Sequence, residues 1–146
     1  MEKFKIDNFK EENPDAEFPA FETLHQEKST AIFHELIAKV GGKLDPKQLA
    51  LFLYENSKLL PGTDAEKEKF SLIETLNSSG ITPKDSVFIN WDCFNQIDKI
   101  RLTDLSSHFS DIWYPSADDI DIFDESFSWV LSVFHDGRVG LIKFES

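Results

Sequence analysis

The residues of this sequence with the clearest capacity for chemistry are carboxylates gathered in one short segment. Residues 111–125, the acidic segment, hold six acidic side chains and no Lys or Arg, and so carry half of the net charge of −12. Clustered carboxylates can bind Ca²⁺ or Mg²⁺, act as general acids and bases, or attract a basic partner. The six acids are Asp111, Asp118, Asp119, Asp121, Asp124 and Glu125.

A metal site built from Asp118, Asp119, Asp121 and Asp124 is the first alternative. An EF-hand loop requires a central glycine and a distal glutamate, and the acidic segment contains no glycine. If Asp119 and Asp121 lie on a strand they share one face, with Asp118 and Asp124 beyond its ends. That arrangement suits at most a weakly bound ion, so we predict no metal site and no cofactor.

Catalysis is the second alternative, and no motif in the sequence supports it. The serines of the C-terminal third do not lie in a nucleophile elbow, and Cys93 has no His or Asn in a recognised arrangement. His135 has Asp136 beside it and could serve as a general base, although a turn residue is the simpler interpretation. We therefore predict a protein that is not an enzyme and has no catalytic residues. The alternative is a small metal-dependent hydrolase that uses the carboxylates of residues 118–124 with His135.

A protein partner is the third alternative and the one that the charge favours. A net charge of −12 repels nucleic acids and anionic membranes, and it steers a basic protein toward the surface. Trp113 and Tyr114 precede Pro115 within the acidic segment, and aromatic rings among carboxylates are typical of protein-binding hot spots. Packing of both rings into the core is the competing interpretation. We predict that a basic protein binds the six acids with Trp113 and Tyr114; a structural or regulatory subunit with an incidental acidic surface remains an alternative.

The N-terminal half has the pattern of two or three helices that would position this segment. One helix is predicted from about residue 20 to the glycines at 41 and 42. Asp45 and Pro46 predict the start of a second helix, which Pro61 and Gly62 would end. A third is predicted from residues 63–64 to about residue 76. Residues 1–9 alternate crudely between apolar and polar, which predicts a short strand or an arm.

The C-terminal half changes to strand patterns. Residues 86–91 are β-branched and aromatic, residues 103–109 favour a short helix, and residues 119–122 alternate as a half-exposed strand with its acids outward. Asp136 and Gly137 predict the turn of a closing hairpin whose arms are apolar on both faces. We expect this hairpin inside a sheet with helices on one side. The prediction is a single α+β domain over residues 1–146, in which N-terminal helices pack on a C-terminal antiparallel β-sheet that ends in the hairpin.

The location of the protein is predicted from what the sequence lacks. Its first residues have no apolar core typical of a signal peptide, and no run approaches the length of a membrane span. Cys93 is the single cysteine, which excludes a disulfide within the chain. We expect a cytoplasmic protein. The sequence does not indicate its oligomeric state.

Several short motifs of the C-terminal third resemble those of a known group of proteins. They are Trp113-Tyr114-Pro115-Ser116, Asp118-Asp119, Phe123-Asp124 and Trp129-Val130-Leu131-Ser132 with His135-Asp136-Gly137. This part of the chain resembles small, acidic, cytosolic bacterial proteins, some of which look like immunity proteins of polymorphic-toxin or contact-dependent inhibition systems. The resemblance implies a protein without enzymatic activity that blocks a cognate toxin, commonly a basic nuclease, by covering its active site. It implies no residue-level binding map, because such proteins differ in the surface that they use.

Overall fold

The structure, a computed structural model, describes residues 1–144; residues 145 and 146 of the predicted domain lie outside the described residues. The strands within this range join into one seven-stranded antiparallel sheet. In chain order they are β1 (Phe21–Thr23), β2 (Lys58–Asp64), β3 (Ser86–Asp92), β4 (Gln96–Arg101), β5 (Ile120–Phe123), β6 (Trp129–Val133) and β7 (Arg138–Lys143). The order across the sheet is β1-β4-β3-β5-β6-β7-β2. The predicted α+β class is confirmed.

The helices of the described residues lie before β1 and in the connections between strands. They are α1 (Lys3–Glu12), α2 (Gln26–Val40), α3 (Pro46–Asn56), α4 (Leu72–Ser78), α5 (Leu102–Ser107) and α6 (Phe109–Ile112). None of these helices is long and apolar enough to cross a membrane.

Both faces of the sheet are covered by helices. On one face, α2 and α3 contribute Leu36 and Leu49 to a core cluster that contains Phe88, Phe123 and Val130. On the other, α4, α5 and α6 pack over alternate residues of the same strands. The expectation of helices on only one side is therefore wrong. The hairpin arms are apolar in both directions because each face of the sheet has its own core.

The closing hairpin is confirmed as predicted. Strands β6 and β7 pair from Trp129 opposite Lys143 to Val133 opposite Val139, and Gly137 in the connecting turn has φ +91°. Glycine adopts this conformation without steric cost. Strand β2 adds to the outer edge of β7, so the hairpin lies inside the sheet rather than at its border.

Asp45 begins α3 as predicted. Its carboxylate accepts the backbone N–H of Gln48 at 2.8 Å, and the Gln48 side chain accepts the backbone N–H of Asp45 at 2.8 Å. This reciprocal capping box satisfies two donors that a helix start leaves free. Pro46 occupies the first turn, where its missing N–H is no loss.

Four predicted elements of the N-terminal half are corrected. Residues 3–12 form α1 instead of a strand or arm, and residues 21–23 pair with β4 before the next helix begins. The predicted second helix ends at Asn56, and residues 58–64 form strand β2. The third helix is shorter than predicted and spans residues 72–78. Pairing with distant β4 and β7 makes strands of residues 21–23 and 58–64, and local sequence patterns do not report it.

Candidate functional site

Three polar side chains form a row across the central strands β3, β5 and β6. Asn90 and Asp121 are cross-strand neighbours, and so are Asp121 and Ser132. Asn90 Nδ2 donates to Asp121 Oδ2 at 3.1 Å, and Ser132 Oγ donates to Asp121 Oδ1 at 2.7 Å. Asn90 Oδ1 accepts the backbone N–H of Phe94 at 2.9 Å, which sets the orientation of the amide. The row therefore holds the Asp121 carboxylate in one position.

This polar row forms the floor of an open cleft of about 410 Å³. The volume lies in the usual range of ligand sites, roughly 300–1,000 Å³. The row is two residues beyond Phe88, Phe123 and Val130, which belong to the core under α2 and α3. Two residues along a strand return to the same face, so the cleft opens where that helical cover ends. Its walls include Ala50, Tyr54, Trp91, Asp92, Cys93, Ala117, Asp119, Phe134, His135 and Arg138.

Asp121 is the only carboxylate on the floor of the cleft, and its environment disfavours the charged form. Burial raises the pKa of Asp121, and the neighbouring charge of Asp119 raises it further. Hydrogen bonds from Ser132 and Asn90 oppose this rise without cancelling it. No Lys or Arg among residues 1–144 forms an ion pair with Asp121. A partly buried anion is thus held by neutral donors alone.

Asp119 and His135 form a pair at the edge of the cleft. The backbone N–H of His135 donates to Asp119 Oδ1 at 2.7 Å, and His135 Nδ1 lies 3.0 Å from the same oxygen. Both side chains are more than half exposed, at 57% for His135 and 60% for Asp119. The pair holds the turn that follows β6 against the residues that precede β5, and it leaves the imidazole open to solvent.

Arg138 is the cation of the cleft wall, and it is already engaged. Its Nε donates to Asp136 Oδ2 at 2.7 Å, and its guanidinium carbon lies 5.3 Å from the Phe134 ring centroid. Tyr54 packs edge-on against the same Phe134 ring at 5.3 Å. Hydrogen bonds to Tyr54 and Asp136 raise the pKa of Arg138. The pKa of Asp136 is lowered, chiefly by the hydrogen bond that it accepts from the backbone N–H of Arg138. The charge of Arg138 is therefore largely offset by Asp136.

Cys93 also borders the cleft, but its thiol is not activated. Burial raises the pKa of Cys93, and the adjacent Asp92 raises it further. A nucleophilic cysteine requires the opposite shift, because the thiolate is the reactive form. The cleft thus offers carboxylates, aromatic rings and a solvent-exposed imidazole, and it offers no activated nucleophile.

The structure divides the predicted partner-binding residues into separate places, and Trp113 is the clearest correction. Trp113 is 2% exposed, stacks on Phe109 at a centroid distance of 5.7 Å, and donates from Nε1 to the Asp118 carbonyl at 2.9 Å. It belongs to the core, as the competing interpretation held. A side chain so buried cannot contact a partner in this conformation, so Trp113 leaves the predicted set.

Asp118 is also buried, and its partners lie within the protein. Its carboxylate forms an ion pair with Lys5 of α1, whose side chain is 1% exposed, and accepts the backbone N–H of Tyr114 at 2.9 Å. Lys5 Nζ additionally donates to the Ile112 carbonyl at 2.8 Å. Asp118 therefore anchors α1 to the acidic segment and is not part of a contact surface.

Asp124 has a similar structural role at the other end of β5. It is 1% exposed, and its oxygens accept the backbone N–H of Ser126 and that of Lys84, each at 2.9 Å. Trp129 Nε1 donates to the same carboxylate at 3.3 Å. These donors within the protein satisfy the hydrogen-bonding capacity of the buried Asp124 carboxylate, so Asp124 too is removed from the predicted surface.

The remaining predicted residues do not form one patch. Asp111 lies on α6 with an oxygen 3.5 Å from His108, and Tyr114 packs edge-on against Phe4 of α1 at 5.6 Å. Glu125 is exposed beyond β5 and faces Lys99 at 3.4 Å. Asp119 and Asp121 alone among the predicted set line the cleft.

Sequence reasoning missed the residues that complete this cleft, notably Tyr54, Asn90, Ser132 and Arg138. Asn90 and Ser132 are polar residues inside otherwise apolar strands, and both are 3% exposed. That local mismatch is a usable signal, because a buried polar group needs a partner. The partner, Asp121, becomes apparent only from the pairing of β3, β5 and β6.

No group of three or more His, Cys, Asp and Glu side chains within the described range is arranged to hold a metal ion. Comparisons with protein-family models, curated proteins and solved structures found no match for this chain.

Proposed function

We propose that this chain is an acidic binding module whose partner is a basic protein, and that it acts as an immunity protein that neutralises a basic toxin domain. The observation that carries the proposal is the negatively charged cleft at the open end of the sheet. Asp92, Asp119 and Asp121 line it, and Arg138 is the one Lys or Arg within residues 1–144 that does so. Carboxylates of this kind can take the place of the phosphates that a nuclease would otherwise bind.

The global charge supports the same partner class. A net charge of −12 accelerates encounter with a basic domain and opposes binding to nucleic acids. Tyr54 of α3 is exposed and adds apolar area to the wall of the charged cleft. Interfaces commonly combine such aromatic anchors with charged residues at the rim. A cytoplasmic location and the absence of enzymatic activity are parts of this proposal.

The first experiment asks whether the chain protects against a toxin. If a neighbouring gene encodes a protein with a basic C-terminal domain, that domain is expressed alone and together with this chain. Growth arrest by the domain, relieved by co-expression, is the expected result. Arrest that persists despite soluble co-expression would overturn the immunity assignment.

The second experiment tests the surface. Asp92→Asn combined with Asp119→Asn removes two charges from the cleft and retains side-chain hydrogen-bond acceptors. We expect the association rate with the toxin domain to fall about 2- to 10-fold at low salt, with a weaker dependence on ionic strength. Stopped-flow fluorescence measures both quantities.

A matched control removes two charges from elsewhere on the surface. Glu68→Gln combined with Glu74→Gln alters exposed residues near and on α4, which packs on the opposite sheet face. This control is expected to change the association rate much less. Equal effects of the two double variants would show that only net charge matters and would remove the cleft from the proposal.

The alternative of a metal-dependent hydrolase has less support from the geometry. It requires the carboxylates of residues 118–124 to converge with His135, whereas Asp118 and Asp124 are buried against their own donors. Of these carboxylates, Asp119 is the one that pairs with His135 among residues 1–144, so they do not converge as a set. A thermal melt with added Ca²⁺, Mg²⁺ or Mn²⁺ tests this alternative; a rise in Tm at micromolar metal would favour it over the binding module.

A further inference from the structure

The carboxylate of Asp121 has acceptor capacity that the protein does not use. A carboxylate offers about four lone-pair positions, and two donors, Asn90 and Ser132, occupy one position on each oxygen. Both donors are buried and fixed by the sheet, so the carboxylate cannot turn away from the cleft. Asp121 is one of the residues that line this cavity.

The charges around Asp121 favour a cation in the cleft over an anion. Asp92 and Asp119 add two carboxylates to the lining. Arg138 would attract an anion, but its Nε is bonded to Asp136 at 2.7 Å and its guanidinium lies over the Phe134 ring. A guest cation would supply the counter-charge that Asp121 lacks within residues 1–144.

The shape and chemistry of the walls favour a flat cation with an apolar stem. Tyr54 is 54% exposed and is held in place by its edge-on contact with Phe134. A guanidinium stacks on such a ring and is more weakly hydrated than an ammonium, so it loses less on entering a partly buried site. It can also donate to two carboxylates at once through its fork of N–H groups.

We propose that this cleft is the acceptor site for one arginine side chain of the protein partner, with Asp121 as the central acceptor and Tyr54 as the stacking wall. The inference rests on the proposed function for the identity of the partner. The site itself rests on the cleft, its fixed floor and its uncompensated charge. Ser132 and Asn90 are positioning residues, since they orient Asp121 and do not provide the charge.

The test uses small probes, so that it does not depend on finding the partner. N-acetyl-L-arginine amide is titrated into the ¹⁵N-labelled full chain while the side-chain NMR signals of Asn90 and Trp91 are followed. The citrulline analogue has nearly the same shape without the charge, and the lysine analogue has the charge without the planar fork. Saturable shifts are expected for the arginine probe with a Kd on the order of millimolar, weaker shifts for lysine, and none for citrulline.

Two variants locate the binding. Asp121→Asn is expected to weaken arginine binding by about tenfold or more, because the amide loses the charge. Its oxygen can still accept the Asn90 N–H, and its N–H can donate to the Ser132 hydroxyl in place of the present bond. Tyr54→Leu changes an exposed wall residue and is expected to weaken it roughly threefold to tenfold. Glu68→Gln, outside the cleft, serves as the control and is expected to leave binding unchanged.

The outcomes separate this site from the proposed function. Equal shifts with arginine and citrulline, or undiminished binding by Asp121→Asn, would overturn the arginine site. Toxin association that depends on Asp92 and Asp119, without arginine-specific probe binding, would retain the proposed function and overturn the site. Arginine-specific binding that requires Asp121, in a chain that does not protect against the toxin domain, would retain the site and overturn the immunity assignment.

Discussion

Replacing Lys5 by methionine is expected to destabilise the protein strongly, because Lys5 joins α1 to the acidic segment through a buried ion pair. Its side chain is 1% exposed, pairs with Asp118, and donates to the Ile112 carbonyl at 2.8 Å. Its Nζ also lies 4.2 Å from the Trp91 ring centroid. In Lys5→Met the apolar stem remains, but Asp118 stays buried without a counter-charge.

The magnitude follows from that uncompensated charge. Removing one partner of a buried ion pair costs about 3–5 kcal/mol of unfolding free energy. The backbone N–H of Tyr114, 2.9 Å from Asp118, remains as a donor and places the expected value toward the lower end. For a chain of this length the loss corresponds to a fall in Tm of roughly 6–20 °C.

Urea unfolding followed by circular dichroism measures the change. In Lys5→Met combined with Asp118→Asn the orphaned charge is gone, and we expect at least half of the lost stability to return. Lys99→Met is the matched control, since Lys99 meets exposed Glu125 at 3.4 Å and such surface pairs contribute about 0–1 kcal/mol. A loss below about 1 kcal/mol for Lys5→Met, or no recovery in the double variant, would refute the assigned role of this pair.

Three further substitutions test local features of the fold. Asp121→Asn should stabilise the protein at neutral pH. Because the pKa of Asp121 is raised in the folded protein, this residue contributes its full stabilisation below the unfolded pKa of 3.8. That stabilisation is lost as the pH rises through the folded pKa. Unfolding measured at pH 4 and pH 8 should therefore show a larger gain at pH 8, and an equal gain would contradict the assignment. Gly137→Ala should cost more than about 1–3 kcal/mol, because a Cβ there would lie 2.2 Å from Asp64 Oδ1 at φ +91°. Gly41→Ala has a similar φ of +81° and nothing within 4 Å, so it isolates the backbone strain in parallel thermal melts. Asp45→Ala should cost about 0.5–2 kcal/mol in urea unfolding through loss of the helix cap, and Asp45→Ser should restore most of it.

Elements that depend on neighbouring residues were predictable from the sequence. The hairpin turn follows from Asp136-Gly137, because glycine there adopts a positive φ. The start of α3 follows from Asp45-Pro46, and the alternation of Ile120 and Ile122 with polar residues follows from the period of a strand. In each case the decisive interaction spans a few residues.

Elements that depend on distant partners were not predictable in the same way. Strand β2 contains Pro61-Gly62, a pattern typical of a helix end. It is nevertheless a strand, because it pairs with β7 at Lys58 and Leu59 and again at Asp64, with a register shift between them. The first residues alternate like a strand but form α1, whose buried Lys5 pairs with a carboxylate 113 residues away. Burial of a lysine in a polar segment has no signal in the residues beside it.

The acidic segment shows why composition locates a charged region better than a site. Six carboxylates fall within fifteen residues, but the backbone directs their side chains to different places. Asp118 and Asp124 turn inward at the two ends of β5, where they satisfy backbone and indole N–H donors. Asp119 and Asp121 share the face that continues into the cleft, as alternation predicts. The charge proposed to steer a partner and the carboxylates that stabilise the fold therefore come from the same short segment.

Stability and binding place opposite demands on Asp121. Its charged form is disfavoured by burial and held only by neutral donors, so an amide at this position is expected to stabilise the free protein. The same amide removes the negative charge that an arginine guest requires. A guest cation would offset the desolvation of the carboxylate in the complex, since opposite charges interact more strongly in a partly buried site. If Asp121→Asn raises stability and abolishes arginine binding together, the two effects share one cause: an anion whose counter-charge is supplied from outside the chain.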